Sequence, residues 1–143
     1  MVKKFLHPGK IVVVVSGRFA GRKAVIVRSF DDGAAGRPYG HALVAGIDKY
    51  PLPVYRRMNK FAINKRTKIR PFFRVINYTH LMPTRYNLGD AHKDSIVADI
   101  QKIVTLEALQ KGNRKPAKKA LRRVFQSRHR AGQSTWFFTK LRF

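Results

Sequence analysis

The sequence predicts a mainly β protein with an α extension: a small β-barrel followed by a basic, partly helical C-terminal segment. Three observations carry this. Two apolar, β-branched runs, Ile11–Val15 and Ala24–Val27, flank a turn holding Gly17 and Gly21, which is the pattern of a β-hairpin. A chain of 143 residues with 44% hydrophobic content can bury one core and is too apolar to be wholly disordered. From Lys111 to Phe143 the pattern changes, with eleven basic residues, no acid and an apolar stripe at helical spacing.

The hairpin opens after Pro8-Gly9, with a first strand from Lys10. Because Ile11–Val15 is apolar at every position, that strand should be covered on both faces or lie at the centre of a barrel. The second strand spans Arg22–Phe30. Asp31–Pro38 reads as a loop, and a third strand covers Tyr39–Tyr50 until Pro51 and Pro53 stop it. A short basic helix is expected over Asn59–Thr67 and a fourth strand over Pro71–Asn77. Tyr78 to Tyr86, with Pro83, reads as too turn-rich for a regular element. The chain thus divides into a barrel domain with a basic insert, 1–88, and an extension, 89–143.

Within the extension, Ile96, Ile100, Ile103 and Val104 have helical spacing but β-branched side chains, so residues 94–105 stay open between helix and strand. Gly112-Asn113 breaks the chain, and Pro116 suits the first turn of a helix running to Arg130. Ala117, Leu121, Val124 and Phe125 form its apolar stripe. Lys118–Arg122 and Lys119–Arg123 repel at i,i+4, so an anionic partner should strengthen this helix. The terminal Trp136, Phe137, Phe138 and Phe143 need a surface to cover them.

Charge decides the class of partner. Against 7 Asp and Glu stand 31 Lys and Arg, a net charge of +24. Such a chain is neutralised naturally by a polyanion, and basic residues interleaved with aromatics fit nucleic acid better than a membrane surface. Without cysteine there is no disulfide framework, thiol nucleophile or cysteine-based zinc site. The start MVKKFLHPGK has no apolar signal-peptide core, and no apolar run reaches membrane-spanning length. The acids are too scattered for a general acid/base pair, and His7, His41, His80, His92 and His129 have no metal-ligand spacing. No catalytic role, cofactor, metal or small-molecule substrate is expected.

Three groups of residues are the expected RNA contacts. Ser16, Gly17, Arg18, Gly21, Arg22 and Lys23 ring a turn whose bare backbone admits a sugar-phosphate chain. The insert and its flanks supply Arg56, Arg57, Lys60, Lys65, Arg66, Lys68, Arg70, Arg74 and Arg85, with no acid between Val54 and Arg74. The C-terminal helix supplies Lys118, Lys119, Arg122, Arg123, Arg128 and Arg130. Phe72, Phe73, Tyr78 and Tyr86, close to Arg70, Arg74 and Arg85, could stack on bases, although the core will claim part of this set.

The segment GKIVVVVSGRFAGRKAVIV resembles a KOW motif, the strand–loop–strand unit of ribosomal proteins and NusG-type transcription factors, with Ala24 where a glycine is frequent. NYTHLMPTRYNL (77–88) and STWFFTKLRF (134–143) resemble the eukaryotic large-subunit ribosomal protein family numbered twenty-seven, and that likeness extends over essentially the whole chain. The resemblance implies an SH3-like (KOW) barrel with a basic helical extension, embedded in large-subunit ribosomal RNA beside neighbouring ribosomal proteins. It also implies a cytoplasmic location, with nucleolar passage during assembly. A KOW-type regulator of a polymerase or elongation factor is the competing reading. Its usual extra domains and balanced charge are missing from these residues. DNA binding by the last helix is a weaker alternative, as no zipper or partner helix accompanies it.

Overall fold

Alternation along the first two strands sets the architecture. In the computed structural model, which describes residues 5–88 and 96–143, β1 (Lys10–Val14) pairs antiparallel with β2 (Lys23–Phe30) in the register Ile11↔Val25 and Val12↔Ala24. Successive side chains of a strand point to opposite faces. Val12, Val14, Ala24 and Ile26 therefore enter one core with Ala42, Val44, Phe72 and Leu81, while Ile11, Val25 and Val27 enter a second with Leu43, Ala45, Ile47 and Phe73. Both faces of the hairpin are buried, as its uninterrupted apolar runs require.

The sheet is antiparallel with strand order β4-β3-β2-β1-β5, where β3 is His41–Lys49, β4 Arg70–Asn77 and β5 Leu81–Asn87. β4 and β5 lie at opposite ends of this order, yet only the 3₁₀ turn Tyr78–His80 joins them. The sheet must curl to bring its ends together. Register irregularities between Lys10 and Val12, Ile26 and Arg28, and Ile47 and Lys49 supply bends of the kind that curl a sheet.

β5 corrects the sequence reading of Tyr78–Tyr86 as irregular. Pro83 has no N–H to give, but β5 is an edge strand whose sole neighbour among the described residues is β1, so Pro83 opposite Val12 is tolerated. Residues 96–103 resolve as a helix, α2 (Ile96–Ile103), with Ile96 and Ile100 buried. The expectations for residues 89–95 lie outside the described residues. Between β3 and β4 stands α1 (Lys60–Arg66), capped by Asn59, whose Oδ1 accepts from Ala62 N at 2.8 Å.

A 3₁₀ turn at Glu107–Leu109 leads to α3 (Arg114–Arg130), with Pro116 in its first turn. Leu121 and Phe125 are fully buried, and Ala117 and Val124 pack against the same cluster. Ile96, Ile100, Val104, Leu121, Phe125, Phe137 and Phe138 share one core with the outer face of the sheet. The extension is thus a lid on the barrel, and its tertiary packing offsets the repulsion along α3. Phe143, expected to need cover, is fully exposed. No helix among the described residues is long and apolar enough to cross a membrane.

Candidate nucleic-acid interface

Arg18 and Arg74 come together from distant parts of the chain. Arg18 follows Gly17 in the β1–β2 turn, where Gly17 and Gly21 adopt φ of +89° and +78°, values that side-chain-bearing residues rarely take. The turn is fixed by Gly21 N donating to Val14 O at 2.7 Å and Ala20 N to Gly17 O at 3.1 Å. Its one aromatic residue, Phe19, folds inward and stacks on Phe72 with ring centres 4.0 Å apart. The Arg18 guanidinium lies 4.9 Å from the Phe19 ring centre and that of Arg74, on β4, lies 5.9 Å from it. Two guanidiniums are held over one buried ring.

Beside them opens a cleft of about 530 Å³, lined by Arg18, Phe19, Phe72, Phe73, Arg74 and, across it, Lys111, Arg114, Lys115 and Lys118. A second hollow shares Arg18, Arg74 and Arg114 and adds Ser16, Gly17, Arg37, Tyr39 and His80. Among the described residues no carboxylate lines either one. The first turn of α3 has no acid and its N-cap Asn113 makes no side-chain cap bond, although a helix N-terminus favours negative charge. The arrangement is set for anionic oxygens.

Two of the expected contacts in the hairpin turn are committed elsewhere. Lys23 is only 1% exposed; its ammonium donates to Trp136 O and Thr139 O, both at 2.6 Å, and lies 3.9 Å from the centre of the Trp136 ring. Burial holds it below the usual lysine range. It fastens the tail to the barrel and is not free to meet a phosphate, which corrects the sequence expectation. Arg22 donates through Nε to Asp48 O at 2.9 Å and sits 3.7 Å from the Asp48 carboxylate. Arg70 donates to the other Asp48 oxygen at 2.7 Å. This half-buried carboxylate compensates part of the charge on that side.

The remaining sites divide by place. Arg56, Arg57, Lys60, Lys65 and Lys68 are exposed on and around α1, while Arg66 is half-buried and donates to Pro53 O at 2.9 Å. Arg85 reaches the Tyr86 hydroxyl at 3.3 Å. Lys118 borders the cleft, Lys119, Arg122, Arg123 and Arg130 are exposed along α3, and Arg128 donates to Ser134 Oγ at 3.0 Å. Phe72 and Phe73 are core residues and cannot stack on bases; Tyr78 donates to Asp31 at 2.7 Å; Tyr86 stacks on Trp136 at 4.3 Å. The buried His41 is occupied by the Tyr39 carbonyl and the Phe30 ring, and among the described residues no group of side chains could hold a metal ion. Arg37, Lys111, Arg114 and Lys115 were missing from the expected contacts, although the acid-free run starting at Lys111 was the signal for three of them.

The profile of the Ribosomal L27e protein family matches residues 11–143. The chain belongs to that family. It is 48% identical over 145 residues to large ribosomal subunit protein eL27 of Dictyostelium discoideum, covering 100% of both chains. It is 48% identical over 141 residues to large ribosomal subunit protein eL27B of Saccharomyces cerevisiae, covering 98% of each, and 45% identical to eL27 of Candida albicans. The match to the family begins at Ile11, inside β1, and runs through α3 and the tail, so the barrel and its lid are matched as one unit.

Proposed function

We propose that this chain is a structural, non-catalytic constituent of the large ribosomal subunit that binds and stabilises ribosomal RNA in support of translation. The observation that carries the reading is the cleft, free of carboxylates among the described residues, where Arg18, Arg74, Lys111, Arg114, Lys115 and Lys118 converge from the hairpin turn, β4 and the start of α3. Phosphate neutralisation supplies affinity, and the fixed spacing of these cations selects a backbone shape instead of a base sequence. The exposed cations of α1 and α3 extend the contact, and neighbouring ribosomal proteins complete the surroundings. The protein works in the cytoplasm, on subunits assembled by way of the nucleolus. The test is the affinity of the full chain for purified large-subunit ribosomal RNA across a salt series. The logarithm of affinity should fall steeply with the logarithm of salt, and the protein should stay with large subunits through a high-salt wash. A flat salt response, or loss from the subunit with recovery on a polymerase, would overturn the reading.

A further inference from the structure

The insert between β3 and β4 breaks the rule that aromatic rings are covered. α1 buries none of its residues. Its inward face is Ala62, Ile63 and Arg66, all half-buried, and its outward face is Lys60, Phe61, Asn64 and Lys65, all exposed. Phe61 is 79% exposed, the most open aromatic of the described residues apart from the terminal Phe143. It makes no ring or cation contact among the described residues, whereas Tyr55 nearby, also exposed, has the Arg66 guanidinium 5.8 Å from its ring centre. The lobe is nevertheless fixed. Asn59 caps the helix, Leu52 N donates to Arg66 O at 2.9 Å and Arg66 Nη1 donates to Pro53 O at 2.9 Å.

We propose that Phe61 is a stacking platform for an unpaired RNA base, with Asn64 facing the base edge and Lys65 the adjoining phosphate. Spacings of three and four residues put Phe61, Asn64 and Lys65 on one helical face, so stacking, hydrogen-bonding and cationic groups are presented side by side. RNA is the occupant because Val54–Arg74 holds eight cations and no acid, a composition that repels a basic protein partner and attracts a polyanion. An unpaired base is the target because a duplex keeps its base faces stacked inside, out of reach of a ring. The site lies apart from the Arg18–Arg74 cleft, and the inference rests on the RNA-binding reading above.

The full chain is tested with a short oligoadenylate and with a blunt RNA duplex of the same length. Phe61→Ala should weaken oligoadenylate binding about tenfold, the size of one lost stack, with the duplex affinity and both salt slopes unchanged. Phe61→Trp should restore the affinity, and oligoadenylate but not duplex should quench the added indole beyond any change at Trp136. Because Phe61 is so exposed, both variants should fold, which circular dichroism checks. Unchanged oligoadenylate affinity in Phe61→Ala would overturn the proposal, and so would equal quenching by duplex. Loss of incorporation into large subunits with RNA affinity intact would overturn it in favour of a protein contact. If the unmodified chain bound neither RNA, the RNA-binding reading itself would fall and this one with it.

Discussion

The Lys23 ammonium lies 3.9 Å from the centre of the Trp136 indole and donates at 2.6 Å to the carbonyl of that same residue, 113 positions along the chain. One side chain thereby ties the second strand of the barrel to the tail that covers it. Tyr50 supports the arrangement, its hydroxyl accepting from Lys23 N at 2.7 Å while burial raises its pKa. Tyr86 stacks on the other partner, Trp136.

Lys23→Met keeps the aliphatic stem and deletes the charge, leaving the Trp136 and Thr139 carbonyls without their donor. A loss of about 2 kcal/mol is expected, because charged donors are worth more than neutral ones but desolvating the ammonium cancels part of the gain. Urea unfolding followed by Trp136 fluorescence measures it. The salt slope of RNA binding should stay as it is; a slope reduced with stability unchanged would mean that Lys23 reaches phosphate after all.

Arg18→Ala and Arg74→Ala should each lower the salt slope of RNA binding by about one, and the double variant by about two. Arg22→Ala, whose guanidinium is engaged with Asp48, should leave the slope close to that of the unmodified chain. Filter binding over a salt series separates these outcomes. A slope equally sensitive to all three residues would remove the distinction between free and committed cations.

Gly46→Ala tests the packing under the hairpin. A methyl group there would sit 2.6 Å from the Lys23 carbonyl oxygen and 2.7 Å from the Phe72 ring, inside contact distance of backbone and core alike. Overpacking of this kind costs about 1–3 kcal/mol, and the shift in urea midpoint reports it. A variant as stable as the parent would show that β3 and β4 can separate at this point.

Tyr78 sets an alkaline limit. Burial first, and then the Asp31 carboxylate that accepts its hydrogen bond, push its hydroxyl up to about 12 from the ordinary 10.0. The folded state keeps a proton that the unfolded chain releases earlier. This contribution is therefore complete below about pH 10 and is lost as pH rises through about 12. Tyr78→Phe should lose less stability than the parent across that window, measured by urea unfolding at paired pH values. Identical losses in the two proteins would contradict the assignment.

Much of this molecule could be read locally. β1 to β4 and α1 lie within a few residues of their expected ends, because alternating or uninterrupted apolar runs, Asn59 as a cap and Pro51 as a stop all act through near neighbours. β5 escaped because Pro83 signals a break, and only its edge position beside β1 makes it harmless. The helix over Ile96–Ile103 needed the barrel surface, since burial of Ile96 and Ile100 decides between two periods that the side chains leave balanced.

By itself the sequence determined a hairpin-seeded barrel and a basic C-terminal extension and pointed to a polyanionic partner, since these follow from apolar spacing and from a charge of +24. Which cations are free was decided only in three dimensions. Arg18 and Lys23 belong to the same hairpin and look equivalent as letters, yet one lines an open cleft and the other is sealed under Trp136. Charge is a property of the residue, whereas availability depends on what the far end of the chain lays over it.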